Sequence, residues 1–251
     1  MIRGLYLSAT NMVVQRRKMD VLTNNIANVE TTGYKADTLL SRSFQDMLIS
    51  RVNDPNIINR YPEVGDLNTG VHIDEVITSF AQGVPQPTEK NSDFCLTGEG
   101  FFVVQTPQGE MYTRDGDFIV DQNGYLTTQE GYFVLGTQGL IRVDPENFVV
   151  NADGSINPSG GWNPGAFRLV TFNDLGGLRK VGNNLYTNFS AGPEMQANCE
   201  VRQSCLEGSN VEIVSEIVDM MGTYRSYETS QRIVRMLDES LGKAVNEVGK
   251  V

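Results

Sequence analysis

A seven-residue repeat of apolar side chains runs through the C-terminal part of this sequence. The repeat comprises Ile213, Met220, Tyr227, Val234, Leu241 and Val248. This spacing is typical of a helix that packs against other helices along a coiled-coil seam. The companion positions are apolar at Ile217 and Tyr224 and become polar at Gln231 and Asp238. A helix over residues 210–248 would be about 58 Å long, which is too long for a small neighbouring domain to cover.

The N-terminal part carries a second helical repeat. Its heptad positions are Leu5, Met12, Met19 and Ile26. We predict Ser8 or Thr10 as the N-cap of this helix and Ser209 or Asn210 as the N-cap of the C-terminal one. Helix signals end at residues 31–33, where two threonines precede Gly33, a residue able to adopt the left-handed C-terminal conformation.

The two ends carry opposite formal charge. Residues 1–35 contain five basic and two acidic side chains, whereas residues 206–251 contain five basic and eight acidic ones. Opposite charge permits the two helices to lie side by side. Two arrangements follow: a hairpin that buries its own apolar faces within one chain, or equivalent hairpins from many subunits that pack together. The length of the C-terminal helix favours the second.

Between the helical ends the apolar pattern changes to a period of two, which predicts strands. The predicted strands cover residues 101–104, 117–120, 131–135, 140–143 and 167–172. Turn signals separate them and end in Gly109, Gly124, Gly131, Gly139 and Gly154. Residues 158–165 are predicted to form a surface loop. Leu40, Phe44, Met47 and Leu48 fit a short amphipathic helix, which Asn-Asp-Pro-Asn at 53–56 then breaks.

Together these patterns predict an α+β fold. The paired N- and C-terminal helices, residues 1–35 and 206–251, form a coiled-coil-like domain. An antiparallel all-β domain, residues 81–205, is inserted between them, and residues 36–80 form an extended connector. With 251 residues the chain is long enough for either one large domain or two modest ones.

The composition excludes several functions. The formal net charge of −11 argues against nucleic acid as a partner. No stretch approaches the roughly 20 apolar residues of a transmembrane segment. The N-terminus lacks the apolar run of a cleaved signal peptide, since polar Ser8, Thr10 and Asn11 interrupt it. Cys95, Cys199 and Cys205 are too few and scattered for a disulfide framework, so we expect structural, reduced thiols.

No residue pattern points to catalysis, a cofactor or a metal. The single histidine, His72, has no nucleophile in an activating context. Glu99, Asp115 and Asp117 could form a glycosidase-like carboxylate pair, but each also fits a turn. Asp115, Asp117 and Asp121 lack the spacing and the closing glutamate of a calcium loop. Phosphate-binding glycine motifs are absent from the sequence. We therefore predict a protein that is not an enzyme.

Three asparagines near the end of the first helix stand out, because asparagine is a weak helix former. They are Asn24, Asn25 and Asn28. One interpretation is local capping of a frayed helix end. The other is that side-chain amides hydrogen-bond across a helix–helix seam and fix its register, as single polar seam residues do in coiled coils. Asn24 and Asn28 would share one face.

Residues 24–35 resemble the N-terminal signature of flagellar rod and hook proteins. The pattern is Asn-Asn-x-Ala-Asn, two residues, then Thr-x-Gly-aromatic-Lys, and every position is met. Residues 96–102 and 112–116 resemble the β domain of the same family, and residues 206–211 resemble its C-terminal motif. Residues 224–228, Tyr-Arg-Ser-Tyr-Glu, depart from the commoner Gln-Arg-Ala-Tyr-Glu.

The resemblance implies a structural subunit of the bacterial flagellar basal-body rod that transmits torque. It implies export through the flagellar type III apparatus without a cleaved signal, and partners that are other copies of the chain and other rod or hook proteins. The terminal helices would stack helically as an inner tube, with the β domain outside. The compact chain favours a rod type over a hook type. Among rod types we expect the proximal rod, with the distal rod as a close alternative.

The assembly interface predicted from these patterns combines both helices. Its members are Leu5, Met12, Met19, Asn24, Asn25, Ile26, Asn28, Gly33, Ile213, Ile217, Met220, Tyr224, Tyr227, Val234, Leu241 and Val248. Two hypotheses from other classes compete with a rod subunit. One is a rod-associated peptidoglycan-cleaving enzyme that uses Glu99, and the other is a monomeric adhesin-like β module on a helical stalk.

Overall fold

The computed structural model describes residues 2–50, 63–144, 148–157 and 165–248. Within these ranges the protein is α+β, with two long helices and antiparallel sheet. The helices are α1 (Ile2–Ala27) and α2 (Ile213–Lys243), and a π-helical turn at Ala244–Val248 continues α2. The predicted fold class is confirmed at this level.

Most of the strands belong to the central part of the chain. They are β1 (Asp37–Ser43), β2 (Met47–Ser50), β3 (Glu63–Leu67), β4 (Val71–Thr78), β5 (Pro85–Pro87), β6 (Phe94–Thr97), β7 (Phe101–Thr106), β8 (Gly109–Thr113), β9 (Phe118–Val120), β10 (Leu126–Thr128), β11 (Phe133–Gly136), β12 (Gly139–Leu140), β13 (Leu169–Thr171), β14 (Leu178–Gly182), β15 (Leu185–Asn188), β16 (Met195–Gln196), β17 (Glu200–Gln203) and β18 (Cys205–Glu207). A 3₁₀ turn at Leu175–Gly177 precedes β14.

The chain divides into two compact units. The helical unit contains Met1–Ile26, Asp37–Ile77 and Ile213–Val251. The β unit contains Ala27–Ala36 and Thr78–Glu212. Each unit is therefore assembled from segments that are distant in sequence.

In the helical unit a small core lies between α1 and the strands that follow it. Val14 and Val21 of α1 and Leu39 of β1 are buried together, and Val71 and Ile73 of β4 pack against them. β1 pairs with β4, and β2 pairs with β3 in an antiparallel hairpin. This core is small for a unit with two long helices.

The predicted short helix at residues 40–48 is wrong, because these residues belong to β1 and β2. Thr38, Ser41 and Ser43 are weak helix formers. Pairing with β4, which lies far along the chain, supplies the backbone hydrogen bonds that a local helix would otherwise make. The predicted break at residues 53–56 lies outside the described residues.

The predicted helix starts also differ from the structure. α1 begins at Ile2, so Ser8 and Thr10 lie inside it, and the Thr10 hydroxyl donates to the carbonyl of Leu7 at 2.9 Å. α2 begins at Ile213, three residues after Asn210. Gly33 has φ +65°, which confirms the expected left-handed conformation.

The β unit is built on one large antiparallel sheet with strand order β14-β15-β8-β7-β11-β10-β9. β13 also pairs with β7, and β16 pairs with β13. Two shorter pairs, β5 with β18 and β6 with β17, complete the unit. β17 and β18, one strand from each pair, are the last two strands before α2.

Both faces of β7 are covered by apolar side chains. Phe102 and Val104 lie in the larger core, whereas Phe101 and Val103 lie in a second core on the other face. In the larger core the ring of Phe94 contacts those of Phe118, Phe148 and Phe167. A strand buried on both faces reads as an unbroken apolar run, and the sequence of β7 does so.

The predicted turns agree closely with the structure. The turn glycines all have positive φ, from 79° at Gly154 to 124° at Gly109. The strands predicted at 101–104, 117–120, 131–135 and 167–172 each overlap an observed strand, β7, β9, β11 and β13 respectively. Residues 140–143 form only the end of β12 and an isolated bridge at Arg142. Most of the predicted loop at 158–165 lies outside the described residues.

Candidate functional site

The signature loop, residues 27–36, follows α1 in the chain and belongs to the β unit. Gly33 donates its backbone N–H to the carbonyl of Glu207 at 2.7 Å. A Cβ atom added at Gly33 would lie 2.6 Å from the Cα of Asp115. Positive φ and this close approach both require glycine here. The loop is thus held against two other segments of the β unit.

We call the place where residues 27–36 meet the segments around Asp115 and Glu207 the junction. A buried ionic cluster lies at its centre. Lys35 Nζ is 2.6 Å from Glu207 Oε1, and Arg114 Nε is 3.0 Å from Glu207 Oε2. The side chains of Lys35 and Glu207 are at most 1% exposed. The backbone N–H of Gly83 also donates to Glu207 Oε1 at 2.9 Å. One carboxylate therefore bridges three separate parts of the chain.

The charges in the cluster are further compensated by backbone carbonyls. Lys35 Nζ donates to the carbonyl of Ala81 at 2.8 Å, and the Arg114 guanidinium donates to the carbonyls of Gly98 and Gly100. Burial lowers the pKa of Lys35, and the hydrogen bond and charge of Glu207 oppose that shift. Buried ions are tolerated only when paired and hydrogen-bonded in this way.

Thr32 and Asp115 form a second contact under the loop. The Thr32 hydroxyl donates to Asp115 Oδ1 at 2.8 Å, and Asn184 Nδ2 donates to the carbonyl of Thr32 at 2.8 Å. Burial raises the pKa of Asp115 to about 6, although hydrogen bonds from Thr32 and the Asp117 N–H oppose this. Asp115 is thus a partly protonated residue of the junction near neutral pH.

Asn210 closes the junction from the C-terminal side. Its Oδ1 accepts from the backbone N–H of Ala36 at 2.8 Å, and its Nδ2 donates to the carbonyls of Ser79 and Ala81. The predicted N-cap role of Asn210 is therefore wrong, because its side chain binds other segments. The Ser209 hydroxyl accepts from the Val211 N–H at 3.2 Å, ahead of the first residue of α2.

Sequence analysis did not identify the partners of five residues of the junction, which are Lys35, Arg114, Asp115, Glu207 and Asn210. A signal was nevertheless present, since all five lie within segments 24–35, 112–116 and 206–211, which resemble the rod and hook family. Charged and amide side chains in separate motifs are candidates for mutual pairing, but their partners cannot be matched from spacing alone.

The predicted interface residues differ in exposure. Half-buried members are Leu5, Met12, Met19, Ile26, Asn28, Met220, Tyr227, Val234 and Leu241. Exposed members are Asn24, Ile213, Ile217 and Tyr224, whereas Asn25 and Gly33 are buried. The side chain of Val248 lies outside the described set.

Asn25, rather than Asn24 or Asn28, is the buried amide of the helix end. Its Nδ2 donates to the carbonyl of Asp37 at 2.9 Å, and its Oδ1 accepts from the Asp37 N–H at 3.0 Å. Nδ2 also lies 3.4 Å from Glu216 Oε2 of α2. Further along the helices, Asn11 Nδ2 donates to the Ser230 hydroxyl at 2.8 Å. Both amides therefore link α1 to α2.

α2 carries more exposed apolar surface than the predicted repeat alone. Val214, Val218 and Met221 are exposed beside Ile217 and Tyr224. Soluble proteins seldom expose contiguous apolar patches of this kind unless the patch is an interaction surface. The first three turns of α2 thus offer a face that this chain leaves uncovered in the described residues.

The described residues contain no group of three or more His, Cys, Asp or Glu side chains that could hold a metal ion. Glu99 is exposed. The ring of His72 stacks on that of Phe44, with centroids 4.7 Å apart. None of the described helices combines the length and hydropathy of a membrane span.

Three family models match the chain. They are the flagellar hook protein FlgE/F/G D1 domain over residues 95–158, the flagellar basal body rod FlgEFG protein C-terminal domain over residues 202–247, and the flagella basal body rod protein over residues 5–35. The three matches include Lys35, Arg114, Glu207 and Asn210. The ionic cluster therefore joins residues of all three matched segments.

Relatives that match the whole chain are named as flagellar rod proteins or as a hook-basal body complex protein. The flagellar hook-basal body complex protein FlhO of Bacillus subtilis is 34% identical over 100% of both chains. The basal-body rod protein FlgF of Caulobacter vibrioides is 32% identical, also over 100% of both. The basal-body rod protein FlgG of Buchnera aphidicola (subsp. Schizaphis graminum) is 32% identical over 97% of this chain and 98% of its own. The chain belongs to the flagellar basal-body rod and hook family. The resemblance found in the sequence motifs is thereby confirmed.

The junction of this rod and hook family member can be tested through Glu207. We expect Glu207→Gln to lower the free energy of unfolding by about 3–5 kcal/mol, because two buried cations lose their counter-charge. Lys35→Met should cost less, about 1–3 kcal/mol, since Glu207 keeps Arg114. Glu200→Gln, an exposed carboxylate on β17, is the matched control. Denaturant unfolding measures all three, and equal values for Glu207→Gln and Glu200→Gln would contradict the cluster's role.

Asp115 supplies a pH-dependent prediction. Its folded pKa of about 6 lies above the 3.8 of an ordinary aspartate, so its contribution to stability is present at low pH and is lost as pH rises through about 6. Asp115→Asn retains an acceptor for Thr32 and removes the ionisation. We expect the variant to exceed the wild type by about 1–3 kcal/mol at pH 7.5 and to lose that advantage near pH 4. Thermal melting of both proteins from pH 4 to pH 7.5 measures this difference in stability. A difference that does not change with pH would contradict the prediction.

Proposed function

We propose that this protein is a structural subunit of the bacterial flagellar basal-body rod. It assembles helically through its terminal helices into the drive shaft that transmits torque from motor to hook. The single observation that carries this proposal is the exposed apolar face of α2 in a chain whose full-length relatives are named rod and hook-basal body proteins. Its place is the flagellar basal body.

The energetics of the helices support assembly through packing. Ile217 is 43% exposed, Val218 57% and Tyr224 58%. Burying a large apolar side chain contributes about 1.5–3 kcal/mol. A few such residues on each interface can offset the entropy lost on association. Contacts between different faces of identical subunits do not close a ring and allow a filament to grow.

We further propose that α1 and α2 pair in a coiled-coil-like axial domain, residues 1–35 and 206–251. The contacts of Asn11 with Ser230 and Asn25 with Glu216 support this pairing. So does Gly4, where an added Cβ would lie 3.5 Å from Leu237 Cδ1. In this proposal residues 36–80 form the connector and residues 81–205 the outer domain.

The partners that follow are copies of the chain, other rod and hook proteins, and the type III export apparatus. The opposite charges of the two terminal segments favour contacts between unlike helix faces of neighbouring subunits. Within the rod we propose a proximal position, with a distal-rod position as the alternative. The role is structural and without catalysis, in keeping with the names of the relatives.

The assembly face can be tested with Ile217→Asp. Because Ile217 is exposed in the single chain, the substitution should change the free energy of unfolding by no more than about 0.5 kcal/mol. In the rod, however, it would place a charge in a packed interface. We expect the variant to be missing from purified basal bodies and the cells to be non-motile in soft agar.

Thr229→Asp is the matched control, because it adds the same charge to α2 at another exposed position. It should be incorporated and support swimming. Normal motility with Ile217→Asp, or equal loss with both variants, would contradict assembly through this face.

A further inference from the structure

The two short strand pairs of the β unit bring two cysteines together. β6 pairs with β17, where Cys95 lies opposite Arg202, and β18 pairs with β5, where Cys205 lies opposite Pro87. Ser204 separates β17 from β18 and has φ +57°, an uncommon conformation for a residue other than glycine. Its backbone N–H donates to the carbonyl of Asp93 at 2.8 Å, next to β6.

This bend turns β18 back towards β6. β18 therefore lies beside β6, and the neighbouring thiol of Cys205 contributes, after burial, to the raised pKa of Cys95. Cys95 is 1% exposed, whereas Cys205 is half-buried. A disulfide spans Cα separations of about 4.4–6.8 Å, which is the range found between residues of neighbouring strands. Two cysteines on strands that lie side by side are therefore within reach of a disulfide.

The third cysteine occupies different surroundings. Cys199 precedes β17 and packs against the glycines beyond β6, since a Cβ added at Gly100 would lie 2.8 Å from its Sγ. Cys199 is half-buried, and burial raises its pKa. Cys199 and Cys205 are both half-buried. Among the described contacts, however, Cys199 has no other cysteine beside it, so Cys199 serves as a control within the same molecule.

We propose that Cys95 and Cys205 form an intramolecular disulfide once the subunit has left the reducing cytoplasm. The timing rests on the proposed place of the protein in the rod, outside that compartment. The expectation of reduced thiols came from the count of cysteines. Three cysteines are too few for a framework of several disulfides, but they allow one disulfide between two of them.

The reaction is thiol–disulfide exchange with a small-molecule disulfide as oxidant, such as oxidised glutathione. The thiolate of the more accessible Cys205 attacks one oxidant sulfur, forms a mixed disulfide and releases one thiol. Cys95 then loses its proton and attacks the Cys205 sulfur, which releases the second thiol. Two protein thiols are oxidised and one oxidant disulfide is reduced. Burial raises the pKa of Cys95 to about 12, so Cys205 rather than Cys95 reacts first.

The bond would strengthen the junction described above. Cys205 lies two residues before Glu207, which holds Lys35 and Arg114. Linking residues 95 and 205 closes a long loop, and the loss of unfolded-state entropy from such a loop stabilises the folded chain. The covalent link would thus tie β18, which carries Glu207, to β6.

The test uses the purified full-length chain incubated with oxidised glutathione, followed by alkylation, proteolysis and mass spectrometry. We expect one intramolecular disulfide that links the Cys95 and Cys205 peptides, with Cys199 alkylated. Cys199→Ser should form the same bond, whereas Cys205→Ser should not. The oxidised wild type should melt about 5 °C or more above the reduced protein.

Circular dichroism confirms that each variant is folded, and Cys205→Ala serves if the serine variant is not. A bond that involves Cys199, a bond only between chains, or full alkylation of Cys95 and Cys205 after oxidation would overturn the proposal. These outcomes are independent of rod assembly. Loss of swimming in the Ile217 variant tests the proposed function, whereas the disulfide is read out in the isolated chain.

Discussion

The carboxylate of Glu207, buried between Lys35 and Arg114, is the interaction on which the β unit depends. It joins the loop after the first helix, the centre of the sheet and the strand that precedes the second helix. A buried carboxylate with two cations and a backbone donor is stable only as a complete set. The segments that carry these partners must therefore fold together, although they are far apart in the sequence.

The two units differ in how much of their apolar surface they bury. The β unit covers both faces of β7 and buries its aromatic rings in contact with one another. The helical unit buries only a small group around Val14 and Val21, and leaves much of α2 apolar and exposed. In the proposed assembly, the contacts that the helical unit lacks within one chain would come from neighbouring subunits.

Much of the fold could be predicted because it follows from local rules. The two helices, the alternating strands and the turn glycines are encoded by spacing and by residues such as Gly109 and Gly124, whose backbone conformation is determined within a few residues. Errors occurred where distant segments compete with local signals. Asn210 fits a helix cap, but the N–H of Ala36 and the carbonyls of Ser79 and Ala81 bind it instead.

The sequence by itself determined the fold class, the apolar repeat of the C-terminal helix and the flagellar family, because period and motif are local properties. The tertiary structure decided which side chains meet. Only it pairs Glu207 with Lys35, selects Asn25 over its neighbours as the buried amide, and places the strand of Cys205 beside the strand of Cys95. These pairings depend on strand register and on the bend at Ser204, and no spacing along the chain records where two distant strands will cross.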